Sequence, residues 1–387
     1  MRLNFSSPPK NKVIVFDGVS LVDLKYILEN HRYFVIENRN YRITHIYCGL
    51  TFSLCFLLNF LKLFFKNRNL KTVYFYTLIK IINPKIIITS IDNSFKFSDL
   101  SKLLKNKFKF VAIQNANRFD YSINDYLFKK KIIKQNLNKI FYNIPNLCCF
   151  GQNEIDNAKK YNLNIKNFFK VGSIRIANFF RYLEINKFKL NVEKYDICLI
   201  SEPQPNLNVR FCTQGLEESF ILPIKFTIKY LKNNNLKFVF AQKSIYNSTR
   251  NFDEINFLKK HLTKEEFEFL LNNSPKKKNL YSSYFHLFQS KVAIGVGSTL
   301  LLDKLGCKEK ILSLNCSNES IFDFPINGIC FLKSNNFNDF SSRVSKILKI
   351  NIEEYLKEME KPTEYAMVFD KKMNTIDKIN NLFFKNN

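Results

Sequence analysis

The chain has no tryptophan, although it carries 41 phenylalanines and 18 tyrosines. With abundant Lys, Asn and Ile, that gap reads as the drift of an AT-rich genome. No Cys-x-x-Cys pair occurs among the nine cysteines. Most of them sit in apolar runs, which predicts core thiols in a reducing compartment. The four histidines, His31, His45, His261 and His286, share no metal-like spacing. Asp-x-Asp, His-Glu-x-x-His and Walker-type Gly-Lys-Ser/Thr are absent, so neither a bound divalent metal nor ATP hydrolysis is signalled. No Gly-x-Ser-x-Gly elbow marks a hydrolase. No charged-then-apolar leader opens the sequence, so secretion is not expected. Short-period repeats and long low-complexity tracts are missing too.

Negative charge is scarce. Asp and Glu number 33 against 60 Lys and Arg, for a net charge of +27. Such a chain suits nucleic acid or an anionic membrane surface. The lysines are scattered, and the clusters at 129–131 and 276–278 are short. No zinc-finger, basic-zipper or RNP-like pattern accompanies them, so nucleic acid is not an expected partner. Peripheral attraction to an anionic membrane, or to anionic substrates, fits better. The segment 46–61 is uncharged and mostly apolar, and Lys62 interrupts it before 63–65. A membrane span needs about 20 apolar residues. A buried or interfacial helix is therefore expected, in a cytoplasmic protein that reaches at most the inner face of the membrane.

At 387 residues and 46% hydrophobic content, the chain is suited to two domains with real cores. Its first half alternates strand and helix. Strands are predicted at 12–16, 33–36, 85–89, 108–113, 147–150 and 168–171. Helices are predicted at 21–28, 50–65, 70–82, 97–104 and 153–161. Apolar periodicity lapses at 186–194, and the rhythm then restarts. Strands follow at 195–200, 237–241, 292–294, 311–314 and 328–332. Helices follow at 222–231, with Pro223 in the first turn, at 254–271, and from 337 onward. Continuous apolar strands between helices predict parallel sheets covered on both faces. The fold class is α/β, two Rossmann-like doubly wound domains facing a cleft. Their expected limits are 1–185 and 186–387. Ligands of such folds bind at the carboxyl ends of the strands.

Those ends are polar. In the stretch 291–315, Gly295 and Gly297 let the backbone bend close to a ligand, and Ser298 or Thr299 stands where a helix cap belongs. Free N–H groups and a helix dipole there suit a phosphate or carboxylate. Lys243 and Arg175 are candidate partners for the same anion. In the first half one strand runs into Asp92 and Asn93, and the next into Gln114, Asn115 and Arg118. Asp92 suits a general base toward an acceptor hydroxyl, or a group that orients one, and a helix cap is the bland alternative. Asp17 is a second base candidate. Asn93, Gln114, Asn115 and Arg118 offer donors for sugar hydroxyls or a phosphate.

Three blocks carry a resemblance: NPKIIITSIDNSFKF at 83–97, FVAIQNANR at 110–118 and IGVGSTLLLDKLGCKEKILSLN at 294–315. The chain resembles the surface carbohydrate biosynthesis proteins of bacteria, which look like glycosyltransferases of the GT-B architecture. Ala116 stands where members more often have Gly. The resemblance implies a metal-independent glycosyltransferase of cell-surface polysaccharide assembly, with no cofactor. A nucleotide-sugar donor would bind mainly on 186–387, with its phosphates at Gly297, Ser298 and Thr299, helped by Lys243 or by Arg175 of the first half. A carbohydrate or lipid-linked acceptor would lie on 1–185, near Asp92, Asn93, Gln114, Asn115 and Arg118, with Asp92 or Asp17 as the catalytic base. The alternatives are transfer of a polyol phosphate, epimerisation of a nucleotide sugar, or a non-catalytic basic protein of the membrane surface.

Overall fold

The computed structural model describes residues 3–4, 10–37, 50–51, 53–64, 70–104, 107–118, 143–190, 193–202, 215–371 and 373–385. His45, Cys48, Cys212 and the lysines at 129–131 lie outside them, as do 46–49, 52 and 65 of the apolar segment.

Two parallel sheets organise the chain. The first has six strands in the order β3-β2-β5-β6-β7-β8. They are β2 (Val13–Phe16), β3 (Tyr33–Ile36), β5 (Ile86–Thr89), β6 (Lys109–Ile113), β7 (Asn143–Cys149) and β8 (Asn164–Lys170). A separate two-stranded ribbon pairs β1 (Leu3–Asn4) with β4 (Leu50–Thr51). The second sheet runs β10-β9-β11-β12-β13. Its strands are β9 (Tyr195–Ile200), β10 (Phe238–Ala241), β11 (Ser290–Gly295), β12 (Ile311–Asn315) and β13 (Phe331–Lys333). Every pairing within the two large sheets is parallel. These are the two Rossmann-like units expected.

The apolar runs explain the layering. Successive side chains of a strand point to opposite faces. Ile14 and Phe16 enter one core with Ile87, Phe110 and Leu147. Val13 and Val15 enter the other with Ile86, Ile88 and Val111. Only a strand apolar at every position can supply both.

The helix Ile174–Ile185 serves both halves. Ile174 and Ala177 join the first sheet's core, whereas Ile176, Phe179 and Leu183 join the second. The chain then returns. After the second sheet, Ala366 and Met367 still belong to the second core. Val368 N–H donates to Phe150 O (2.9 Å), and Thr375 Oγ1 donates to Val171 O (2.8 Å). The last helix, Thr375–Phe383, buries Ile376, Ile379 and Phe383 in the first core.

Gly172 makes this return passage possible. Its φ is +85°, and a Cβ there would stand 2.0 Å from Val368 O. Gly172→Ala combines a left-handed backbone with a backbone clash. We expect it to lose about 3 kcal/mol or more, read as a lowered melting midpoint. A midpoint within a degree of the parent would refute this account of the crossing.

Several local expectations need correction. The predicted helix at 50–65 yields its first two residues to β4 and forms as Leu54–Phe64. The helix predicted at 21–28 is the shorter Ser20–Leu24. Pro223 is not in a first turn, because the helix is Leu216–Asn234. Glu217 and Glu218 in its true first turn complement the helix dipole and extend it ahead of the proline. The stretch 254–271 is two helices, Thr249–His261 and Lys264–Asn272. Leu262 caps the end of the first, and Thr263 starts the second through a capping box with Glu266.

Cys148, Cys149, Cys198 and Cys330 are buried thiols, as expected of core cysteines. Burial pushes Cys149 and Cys198 up to about 12, which keeps them protonated and inert.

Candidate functional site at the facing strand ends

The two sheets meet through their polar tips. Beyond β6, the backbone N–H of Asn117 donates to Thr299 Oγ1 (2.8 Å). The Asn117 side-chain amide donates to Gly297 O (2.8 Å). One residue of the first half thus binds both ends of the turn after β11. Asn117 belongs to the polar tip seen in the sequence but was not among the candidate site residues.

Asp92 and Arg118 come together at this junction. Arg118 Nε donates to Asp92 Oδ2 (3.0 Å), and its Nη2 donates to Asp92 Oδ1. The same Nη2 reaches Asn115 Oδ1 (3.3 Å). Both side chains are largely covered, so this is a bidentate pair held away from bulk water. The helix after β5 is capped by Ser94, whose side chain accepts from Phe97 N–H (3.3 Å). Asp92 is therefore not the cap. Asn93 is half-buried beside it. Gln114 is buried and braces the loop. Its Nε2 donates to Ala116 O (3.1 Å), and its Oε1 accepts from Phe150 N–H (3.0 Å).

Asp17 lies at the same end of the first sheet, buried past β2, the strand beside β5, with φ +77°. Its Oδ1 accepts from Val19 N–H (3.4 Å), and its carbonyl accepts from Ser20 N–H (2.9 Å). The left-handed backbone and these bonds make the turn that starts the following helix.

The turn after β11 has the predicted form. Ser298 caps the helix Thr299–Gly306, its side chain accepting from Leu300 N–H (3.4 Å). Its N–H groups, however, already hold an anion of the chain itself. Glu202 Oε2, just past β9, accepts from Val296 N–H (2.6 Å) and Gly297 N–H (3.0 Å). Burial pushes the Glu202 carboxyl upward, and these amides and Lys243 pull it back. The N–H groups expected to face a ligand anion face the side chain of Glu202 in this structure.

Lys243 is exposed after β10, with Glu202 within its electrostatic reach. Its backbone is held by Glu254, a buried carboxylate on the helix Thr249–His261. Glu254 accepts from Lys243 N–H (3.0 Å), from Ser244 N–H (3.0 Å) and from Ser201 Oγ. Lys277 Nζ donates to Lys243 O (2.8 Å). Burial pushes the Lys277 ammonium down; Glu254 opposes that, and the charge of Arg175 adds to it.

Arg175 opens the helix Ile174–Ile185 and donates to Asp23 Oδ1 (3.1 Å), leaving its guanidinium half exposed. Asp23 also accepts from Ser90 Oγ (2.8 Å) through Oδ2. Arg175 also feels the charge of Asp303, which accepts from Tyr284 Oη (2.6 Å). Burial drives Asp303 up to about 6, against the Tyr284 and Ser173 hydroxyls and Arg175. Arg175, Lys277 and Lys243 thus neighbour one another in turn, and Lys243 extends the series to Glu202 at the turn after β11. Lys277 comes from the run at 276–278 that the sequence presents as diffuse charge, and only folding distinguishes the middle lysine. His286, partly buried, is pushed down by burial, Lys277 and Lys194. No group of three or more His, Cys, Asp or Glu among the described residues is disposed to hold a metal.

No protein-family model and no curated protein sequence matches the chain. Solved structures do match its fold. UDP-N-acetylglucosamine 2-epimerase from Rickettsia bellii superposes with a TM-score of 0.54 at 12% identity, over 95% of this chain and 94% of that one. The UDP-GlcNAc 2-epimerase of Methanocaldococcus jannaschii, solved with UDP-GlcNAc and UDP, gives 0.52 at 11% identity over 99% of both chains. The wall teichoic acid polymerase TagF gives 0.50 at 12% identity, over 98% and 90%. At such identities the likeness is one of fold, the GT-B-like pair of Rossmann domains.

Proposed function

We propose that the protein is a metal-independent glycosyltransferase that uses a nucleotide-activated sugar in the assembly of cell-surface carbohydrate. The observation that carries this reading is the Asn117 bridge to Gly297 and Thr299. It sets the Asp92–Arg118 pair of one half against the capped turn of the other, with three cations alongside. In this reading the halves divide at 185/186. The second binds the donor, whose phosphates sit between Ser298, Lys243, Lys277 and Arg175. Fixed cations and the helix N-terminus stabilise the leaving phosphate in place of a metal. The acceptor lies on the first half at Arg118, Asn93 and Asn115. Asp92 orients Arg118 toward it or takes its hydroxyl proton. The reaction takes place in the cytoplasm.

A second reading is epimerisation of a nucleotide sugar. Its support is that two of the three fold relatives above are UDP-GlcNAc 2-epimerases.

Thermal-shift screening against UDP-, CDP-, GDP- and CMP-linked donors tests donor binding, since a ligand of the folded state raises its melting temperature. Mass spectrometry of the products then separates the chemistries. Glycosyl transfer adds a sugar to the acceptor, polyol-phosphate transfer adds a phosphate as well, and epimerisation changes no mass. Asp92→Asn is expected to lower kcat by about 100-fold with KM little changed, as for a group acting in the transition state. An unaltered kcat would remove Asp92 from the chemistry.

A further inference from the structure

We infer that the helix Leu54–Phe64 docks this protein on an anionic lipid bilayer. Leu54, Leu57, Leu58 and Leu61 are 75%, 38%, 61% and 49% exposed. Their spacing of three, four and seven puts them on one face of the helix. The opposite face packs inward: Phe56 is buried, and Phe60 stacks on it at 5.8 Å. Leu70, at the start of the helix Leu70–Ile82 packed alongside, is also exposed. A contiguous leucine stripe open to water marks an interaction surface rather than a core.

The charge around the stripe selects the occupant. Between Glu37 and Asp92 the sequence has no acidic residue at all. Lys62, Lys71, Lys80 and Lys85 are exposed within that interval. An apolar face with exposed lysines on its own helix and on the helix packed beside it, Lys62 and Lys71, complements the headgroup region of an anionic leaflet, which attracts basic side chains. A second copy of this chain would bring like charge against like charge. Nucleic acid would use the lysines and leave the leucines in water. No helix among the described residues is long and apolar enough to cross a membrane. The Leu54–Phe64 helix therefore lies in the plane of the interface.

The test is co-sedimentation of the full chain with vesicles of phosphatidylcholine, with and without phosphatidylglycerol. Binding is expected to the phosphatidylglycerol vesicles and to fall steeply as salt is raised. Leu58→Gln with Leu61→Gln is expected to weaken it roughly tenfold or more, because two leucines no longer leave water. These side chains are exposed, so the melting temperature should stay at the parent value. If it falls, Leu54→Gln, at the most exposed leucine, takes the pair's place. Failure to sediment with phosphatidylglycerol vesicles at low salt overturns the inference. So does equal binding by the leucine variants. Loss of self-association in those variants, without vesicle binding by the parent, would assign the stripe to a second copy instead.

Discussion

Replacing Glu254 with alanine is expected to lower stability by about 3–5 kcal/mol, the range seen when one partner of a buried charged network is removed. Glu254 is 1% exposed and gathers Ser201 Oγ and the N–H groups of Lys243 and Ser244. The alanine variant strands the buried Ser201 hydroxyl and leaves the part-buried N–H groups of Lys243 and Ser244 without their acceptor, and each unsatisfied buried donor costs about 1–3 kcal/mol. Glu254→Gln keeps an acceptor oxygen but aims an amide at one donor, so an intermediate loss is expected. The measurement is the denaturant midpoint of the three proteins. A loss below about 1 kcal/mol for the alanine variant would show that the carboxylate does not hold the strand ends together. The same residue shapes the Lys243–Ser244 turn, so nucleotide affinity should fall along with stability.

Glu202→Gln is expected to tighten the binding of a nucleoside diphosphate roughly 10–100-fold. In the free protein the Glu202 carboxylate occupies the N–H groups of Val296 and Gly297. A phosphate entering beside it meets a like charge. At about 4 Å and an effective dielectric near 20 that repulsion is ~4 kcal/mol. Screening by solvent and salt reduces it to about half, still more than tenfold in affinity. The pH dependence has a definite sign. Burial raises the Glu202 carboxyl above its ordinary value. Protonation removes the competing charge, so parent affinity should rise as pH falls through that raised value. The glutamine variant should lose this dependence. Titration calorimetry at two pH values measures both. Weaker binding by Glu202→Gln would mean that Glu202 contacts the ligand favourably, and the competition account would fail.

The sheets were legible because strands such as β2, β5 and β10 are apolar at nearly every position, and a strand with two buried faces requires that. The cap at Ser298 was legible because helix capping is local. What stayed hidden are long-range pairs of acids with their donors. Nothing near Glu202 in sequence announces Val296 and Gly297, nothing near Asp23 announces Arg175, and nothing near Glu254 announces Ser201. Those partners are set by strand order, which follows from the whole topology. Asp92 and Arg118 were both identified, on neighbouring strand ends, but their pairing depends on the geometry of β5 beside β6. Pro223 misled for a local reason. A proline reads as a helix start unless the acidic turn ahead of it is given weight.

The return of the chain has a consequence for its synthesis. Ile376, Ile379 and Phe383 complete the core around Val13, Val15 and Ile174, yet the ribosome makes them only after both sheets. The first half emerges early with one face of its sheet incompletely covered, and stays so until the whole second half has followed. Domains made first usually fold first. Here the earlier one must wait for the later one, and the interval leaves apolar surface for chaperones to shield.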